Sequence, residues 1–288
     1  MSDATRPEAP GAPGAPGPAV PPTDAVHSVG YRDVPDDAGG GAGRLWWDAN
    51  AAEYLDDHRE FLGDAGFRWG PEGLTEAEAG LLGDVAGARV LEVGAGAAQC
   101  SRWLAGRGAE VVATDVSAGM LAQSARLDAA TGVRVPAVQA DARALPFADG
   151  AFDVVFTSFG AVPFVPDAAR VHAEAARVLR PGGRWAFAVT HPLRWAFPDD
   201  PTARGLTAVR SYFDRRPYVE QAADGAVLYA EYHRTVGDHV RDVVAAGLRL
   251  RDVVEPEWPA WNDQVWGGWG PERGRLLPGT AVFVATKD

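Results

Sequence analysis

Apolar and polar positions follow two rhythms along this chain. Apolar runs of five to seven residues, at Arg89–Val93, Glu110–Thr114, Val135–Gln139, Phe152–Thr157 and Arg184–Thr190, predict strands. Between them, Ala97–Gly106, Ala118–Ala130 and Asp167–Leu179 return an apolar residue every three or four positions and predict helices. This alternation predicts β-α-β units and a mostly parallel sheet. Upstream, Leu45–Leu62 reads as an amphipathic helix with Trp47, Tyr54, Leu55, His58 and Leu62 on one face. Thr75 followed three residues later by Glu78 is a capping box. After the fifth predicted strand the rhythm breaks. Residues 191–234 carry four prolines and two strand-like runs about Ala223-Asp224-Gly225, which predicts an insertion over the sheet containing a hairpin. A helix at Val236–Ala246, a strand at Leu248–Val254 and a closing strand at Ala281–Ala285 complete the pattern.

Composition sets the outer limits. The first 43 residues hold eight Pro and eight Gly and show no periodic apolar face. They are expected to form a disordered tail, because too little apolar surface is available to offset ordering entropy. Residues 44–288 are then one domain. The formal net charge of −12 disfavours a nucleic-acid partner. Cys100 is the single cysteine, so no disulfide framework exists. No run approaches a membrane span, and the N-terminus lacks the features of a secretory signal, which points to a cytoplasmic location. Oligomeric state leaves no mark in the sequence.

The chemistry concentrates where predicted strands end. Val90-Leu91-Glu92-Val93-Gly94-Ala95-Gly96 leaves a strand and enters a helix, with glycines that allow a sharp turn and close approach of a ligand. A Gly-rich βα turn without a ligand has the same pattern. Asp115 ends the second predicted strand, where a carboxylate can accept from two ribose hydroxyls or cap the next helix. Asp141 follows the third, suited to an adenine amino group or to solvent. Ser158 and Phe159 follow the fourth and would line the cleft outside the strand ends.

With VLEVGAGAA, VVATDVSAGML, QADARALPFADGAFDVVFTSFG and RVLRPGGRWAFAVTHP in that order, the chain from Leu45 to Lys287 resembles the class I S-adenosylmethionine-dependent methyltransferases, especially the quinone-methylating small-molecule group. The resemblance implies a Rossmann-like α/β fold: a seven-stranded, mostly parallel sheet with the last strand antiparallel, plus N-terminal helices. It implies S-adenosyl-L-methionine as cofactor. Glu92, Gly94, Ala95 and Gly96 would surround its methionine part and Asp115 its ribose. Val116 and Met120 would flank the adenine, with Asp141 and Ala142 at the edge. Ala98 departs from the third glycine that the family often carries.

The expected reaction is in-line methyl transfer to a small-molecule acceptor, first of all to a hydroxyl oxygen, which needs positioning more than a catalytic triad. His191, at the end of the fifth predicted strand, is the first candidate base or substrate contact, with a structural role before Pro192 as the other reading. His58 follows, and Tyr54 is a candidate contact to the methionine carboxylate. Four Trp between Trp258 and Trp269, with Phe197, Tyr212, Phe213 and Tyr218, line an acceptor pocket or form a packing lid. His172 reads as an exposed helix residue. No HxxxH, HxH or Cys pair suggests a metal. Two rivals stand beside the enzyme: a non-catalytic cofactor-binding sensor or interaction module, and an NAD(P)-dependent enzyme. The second is disfavoured by Gln99 in the sixth position of the dinucleotide fingerprint.

Overall fold

The computed structural model describes residues 26–288. In chain order the elements are β1 (Ser28–Tyr31), α1 (Asp36–Leu62), α2 (Glu76–Ala79), β2 (Arg89–Val93), α3 (Gln99–Ala105), β3 (Glu110–Asp115), α4 (Ala118–Thr131), β4 (Ala137–Gln139), β5 (Phe152–Ser158), α5 (Ala168–Val178), β6 (Leu179–Thr190), β7 (Tyr218–Gln221), β8 (Val227–Glu231), α6 (Val236–Ala245), β9 (Leu248–Val254), α7 (Pro271–Gly274) and β10 (Thr280–Lys287). Seven strands form one sheet in the order β4-β3-β2-β5-β6-β10-β9, and β10 alone runs opposite to the other six. This is the seven-stranded α/β arrangement with an antiparallel last strand.

Both faces of the central strands are covered, which is why they read as unbroken apolar runs. In β6, Trp185, Phe187 and Val189 enter one core, and Ala186 and Ala188 enter the other. In β10, Phe283 faces the first core, where it stacks on Phe187, and Val282 and Val284 face the second. His172 corrects its sequence reading. It is fully buried in α5 and accepts the Trp185 indole N–H at 3.1 Å. Burial pushes its pKa down to about 3, so it is neutral in the fold. Arg180 to Gly183 lies within β6 beside a register shift against β5.

The expected tail boundary at residue 43 needs moving. Residues up to 25 lie outside the described ones, with the Pro-rich stretch among them. Residues 28–31, however, form β1, and α1 starts at Asp36. β1 pairs with β7 of the insertion hairpin, giving a small antiparallel sheet β1-β7-β8. Four glycines in the first two turns of α1 oppose helix formation by ~1 kcal/mol each relative to Ala. Packing overrides that preference. A Cβ at Gly39 would sit 1.9 Å from the Tyr232 hydroxyl oxygen, so the Tyr232 side chain rests where it does because glycine is there.

No helix among the described residues is long and apolar enough to cross a membrane.

Candidate functional site

Strand order reverses between β2 and β5, and ligands in open α/β sheets bind outside the carboxyl ends of strands at such a point. A cavity of about 540 Å³ opens there. Gly94 (φ +65°) and Gly96 (φ +54°) follow β2; Phe159 (φ +59°) and Ala161 (φ +50°) follow β5. With Ala98 (φ +56°), these two are the non-glycine residues with positive φ among those described, and all three lie at this edge. Each such residue costs about 1–3 kcal/mol, held in place by surrounding packing.

The two loops lock through glycine. A Cβ on Gly94 would fall 2.6 Å from the Ala161 nitrogen, and one on Gly160 would fall 2.2 Å from the Gly94 carbonyl oxygen. Gly96 differs. A Cβ there would meet nothing nearer than the Met120 sulfur at 3.9 Å, so its backbone leaves an open cradle on the cavity.

Asp115 ends β3 at the cavity wall. Its Oδ2 accepts the Gly96 N–H at 2.8 Å and its Oδ1 the Ser117 N–H at 2.8 Å. Each oxygen keeps a lone pair for a further donor. Burial raises its pKa, and the two backbone donors work against that rise. Glu92 is buried beneath the same loop. It accepts both the amide and the hydroxyl of Ser101, which pins the start of α3. Burial pushes its pKa up to about 7.

Of the residues singled out in the sequence, Tyr54, Glu92, Gly94, Ala95, Gly96, Asp115, Val116, Met120, Asp141, Ala142, Ser158 and Phe159 all line the cavity. Asp141 is already engaged by Arg143, with Nη2 to Oδ2 at 2.7 Å. The two histidines are not brought there. His191 is 6% exposed; its Nδ1 accepts the Leu193 N–H at 3.1 Å and its Nε2 meets Glu255 Oε1 at 2.7 Å, so both nitrogens serve structure. Its neighbour Thr190 lines the cavity instead. His58 stands behind Tyr54, stacked on that ring at 4.4 Å and tilted against Trp266 at 4.1 Å, and shares a hydrogen bond with the Tyr54 carbonyl.

Beyond these residues the cavity continues into an aromatic chamber. The Trp cluster divides: Trp266 and Trp269 line it, whereas Trp258 is buried in packing against Gly274 and Trp261 is 63% exposed. Of the insertion aromatics proposed for the pocket, Tyr218 lines it. Sequence reasoning passed over Trp46, Phe164, Trp195, Tyr229 and Glu231, which also line it. The Trp46-Trp47 doublet on α1 was the available signal for one of them.

Asp48 was passed over as well. From α1 its Oδ1 accepts the Ser117 hydroxyl at 2.7 Å and the Gly119 N–H at 2.9 Å, docking α1 on the start of α4. Gly119 permits this, since a Cβ there would lie 2.5 Å from the Asp48 carbonyl oxygen. Asp48→Ala is therefore expected to cost about 1–3 kcal/mol. In hydrogen exchange α1 should open more readily while β2 keeps its protection; equal protection of α1 in both proteins would remove this role.

A family model described as a methyltransferase domain matches residues 90–183. A demethylmenaquinone methyltransferase of Mycobacterium sp. (strain KMS) is 47% identical over 210 residues, which cover 70% of this chain and 76% of that protein. One of Mycolicibacterium vanbaalenii is 50% identical over 96 residues, a stretch spanning 39% of its own length. Among solved structures, an S-adenosylmethionine-dependent methyltransferase from Mesorhizobium loti superposes with a TM-score of 0.56 at 25% identity, covering 76% of this chain and 100% of that one. The fold is shared too by a Burkholderia thailandensis 1,6-didemethyltoxoflavin-N1-methyltransferase, solved with S-adenosylhomocysteine bound (TM-score 0.54, 19% identity, 90% of this chain and 95% of that one).

Proposed function

The chain belongs to the class I S-adenosylmethionine-dependent methyltransferases, and on that premise we propose that it transfers the methyl group of S-adenosylmethionine to a hydroxyl oxygen of a small aromatic acceptor. The observation that carries this reading is Asp115. Its carboxylate is braced by two backbone amides, keeps a lone pair on each oxygen, and stands beside the open cradle at Gly96. A ribose with two adjacent hydroxyls fits that donor-poor, acceptor-rich corner.

The cofactor supplies a methyl group already activated on a cationic sulfur. The chain's own residues supply position and dryness. Asp115 orients the ribose, and Met120 and Val116 flank the adenine. Tyr54, on docked α1, closes the methionine end. Holding the reactants in line accounts for about 7–11 kcal/mol of such a barrier without covalent help from the protein. The aromatic chamber, with Trp46, Phe164, Trp195, Tyr229, Trp266 and Trp269 on its walls, suits a flat, largely apolar acceptor. The demethylmenaquinone methyltransferase relatives support a quinone-type ring as the acceptor.

Titration calorimetry with S-adenosylhomocysteine tests the cofactor site, with micromolar binding expected. Incubating cell extract with labelled donor should then yield a methylated small molecule. Absence of binding by the wild-type protein would end this reading.

A further inference from the structure

With His191 turned into structure, the cavity needs another group to take a hydroxyl proton. Six carboxylates line it: Glu92, Asp115, Asp141, Asp199, Glu220 and Glu231. Five are held by short bonds. Glu92 has Ser101, Asp115 has two amides, and Asp141 has Arg143. Asp199 has Arg194 at 2.9 Å, and Glu220 has the Tyr218 hydroxyl at 2.9 Å. Glu231 alone is held loosely, by the Tyr229 hydroxyl at 3.3 Å and the Thr190 hydroxyl at 3.5 Å. No Lys, Arg or His nitrogen among the described residues comes within ion-pair distance of it.

We propose that Glu231 is the catalytic base that receives the acceptor's hydroxyl proton, with Thr190 and Tyr229 as its positioning residues. This rests on the methyl-transfer reading above. Glu231 ends β8, in the small sheet that walls the chamber. Thr190 ends β6 on the carboxyl edge of the large sheet, so the hydrogen bond between them ties the base to the edge that carries the cofactor cradle. Two long bonds leave most of the carboxylate's four acceptor sites for a ligand. Its surroundings are aromatic, with Tyr229 against Trp46 at 5.3 Å and Phe164 at 6.1 Å.

The charged and titratable groups around Glu231 act in opposite directions. Burial, the largest influence, raises its pKa, and Asp199 adds to that; Arg194 and the hydroxyls of Tyr229 and Thr190 lower it. Tyr218 lies opposite it in the hairpin, with Glu220 two residues on. Arg234 and His239 border a small hollow on its other side, where burial holds His239 neutral. A carboxylate with a raised pKa in a dry site is a stronger base once ionised. In the step, the acceptor O–H bond breaks and its proton goes to a Glu231 oxygen. The hydroxyl oxygen's electron pair forms the new bond to the methyl carbon, and the old carbon–sulfur pair stays on sulfur. Glu231 then loses the proton to water as product leaves.

The test uses the S-adenosylhomocysteine-loaded protein, titrated calorimetrically with 1-naphthol and with naphthalene between about pH 4.5 and 8. Wild type should bind 1-naphthol roughly tenfold more tightly once Glu231 ionises, because a bond to a charged acceptor is about twice as strong as one to a neutral acceptor. Naphthalene should show no such rise. Glu231→Gln should bind 1-naphthol with no pH dependence, while keeping its melting temperature and its S-adenosylhomocysteine affinity. Labelled methyl transfer to 1-naphthol should fall about 100-fold or more in this variant. Three results would each overturn the proposal: a pH dependence that persists in Glu231→Gln, 1-naphthol binding no tighter than naphthalene, or equal transfer by both proteins. Loss of S-adenosylhomocysteine binding by wild type would instead strike the methyltransferase reading itself.

Discussion

Asp115→Ala is expected to weaken S-adenosylhomocysteine binding at least roughly 100-fold. The carboxylate would accept from two ribose hydroxyls, and each charge-assisted bond is worth about 1.5–3 kcal/mol. The alanine variant also frees the Gly96 and Ser117 amides, so part of its effect would come from a loosened loop. Asp115→Asn keeps the side chain's size and one acceptor, but its NH2 group sets a donor against either the Gly96 or the Ser117 amide, so it should bind with intermediate affinity and melt between wild type and the alanine variant. The pH dependence has a definite sign. Burial raises the Asp115 pKa, so its share of the decline in affinity on acidification should come at a higher pH than for an ordinary carboxylate, and Asp115→Asn should show a shallower decline, the remainder coming from Glu92. Calorimetry reads both quantities, and unchanged affinity in Asp115→Ala would remove the ribose contact.

Gly94→Ala and Gly96→Ala are expected to fail in different ways, although they stand two residues apart. At Gly94 a methyl group would press on the backbone of residues 160 and 161, and φ of +65° penalises any side chain. The left-handed conformation costs about 1–2 kcal/mol and the overpacking about 1–3 kcal/mol. A loss of ~2–5 kcal/mol should lower the melting temperature by roughly 5–15 °C. At Gly96 the added methyl finds open space, so only the conformational cost applies to the fold. It would occupy the cradle, however, and S-adenosylhomocysteine affinity should drop while the protein stays folded. Melting curves and calorimetry on the two variants distinguish them. Equal loss of stability at both positions would contradict the geometry.

The same contrast explains how legible the site was. Gly94, Gly96, Asp115, Asp141 and Phe159 stand at strand ends, and strand ends follow from apolar runs over a few residues. His191 shows the limit of that reasoning. It follows Thr190 directly, and the two side chains go different ways: Thr190 lines the cavity, while His191 caps the next turn and meets Glu255. Successive side chains on a strand point to opposite faces, so a correct element boundary can still assign the wrong neighbour. The early boundary of the tail erred for another reason. Gly and Pro counts suggest disorder, whereas β1 pairs with the hairpin and α1 packs beside it, with Gly39 against the Tyr232 hydroxyl.

The sequence by itself determined the β-α-β layering, the glycine turn and the acids at the strand ends, because each depends on periodicity or turn chemistry within about ten residues. Only the tertiary structure decided the acceptor chamber. Its walls come from α1, the loop after β5, the insertion hairpin and the Trp266–Trp269 turn, segments up to about two hundred residues apart in the chain. Glu231 became a candidate base there through its loose hydrogen bonds and its contact with Thr190, and neither leaves a trace in local patterning. Contacts between distant segments are set by how whole elements pack, and no short window of residues carries that information.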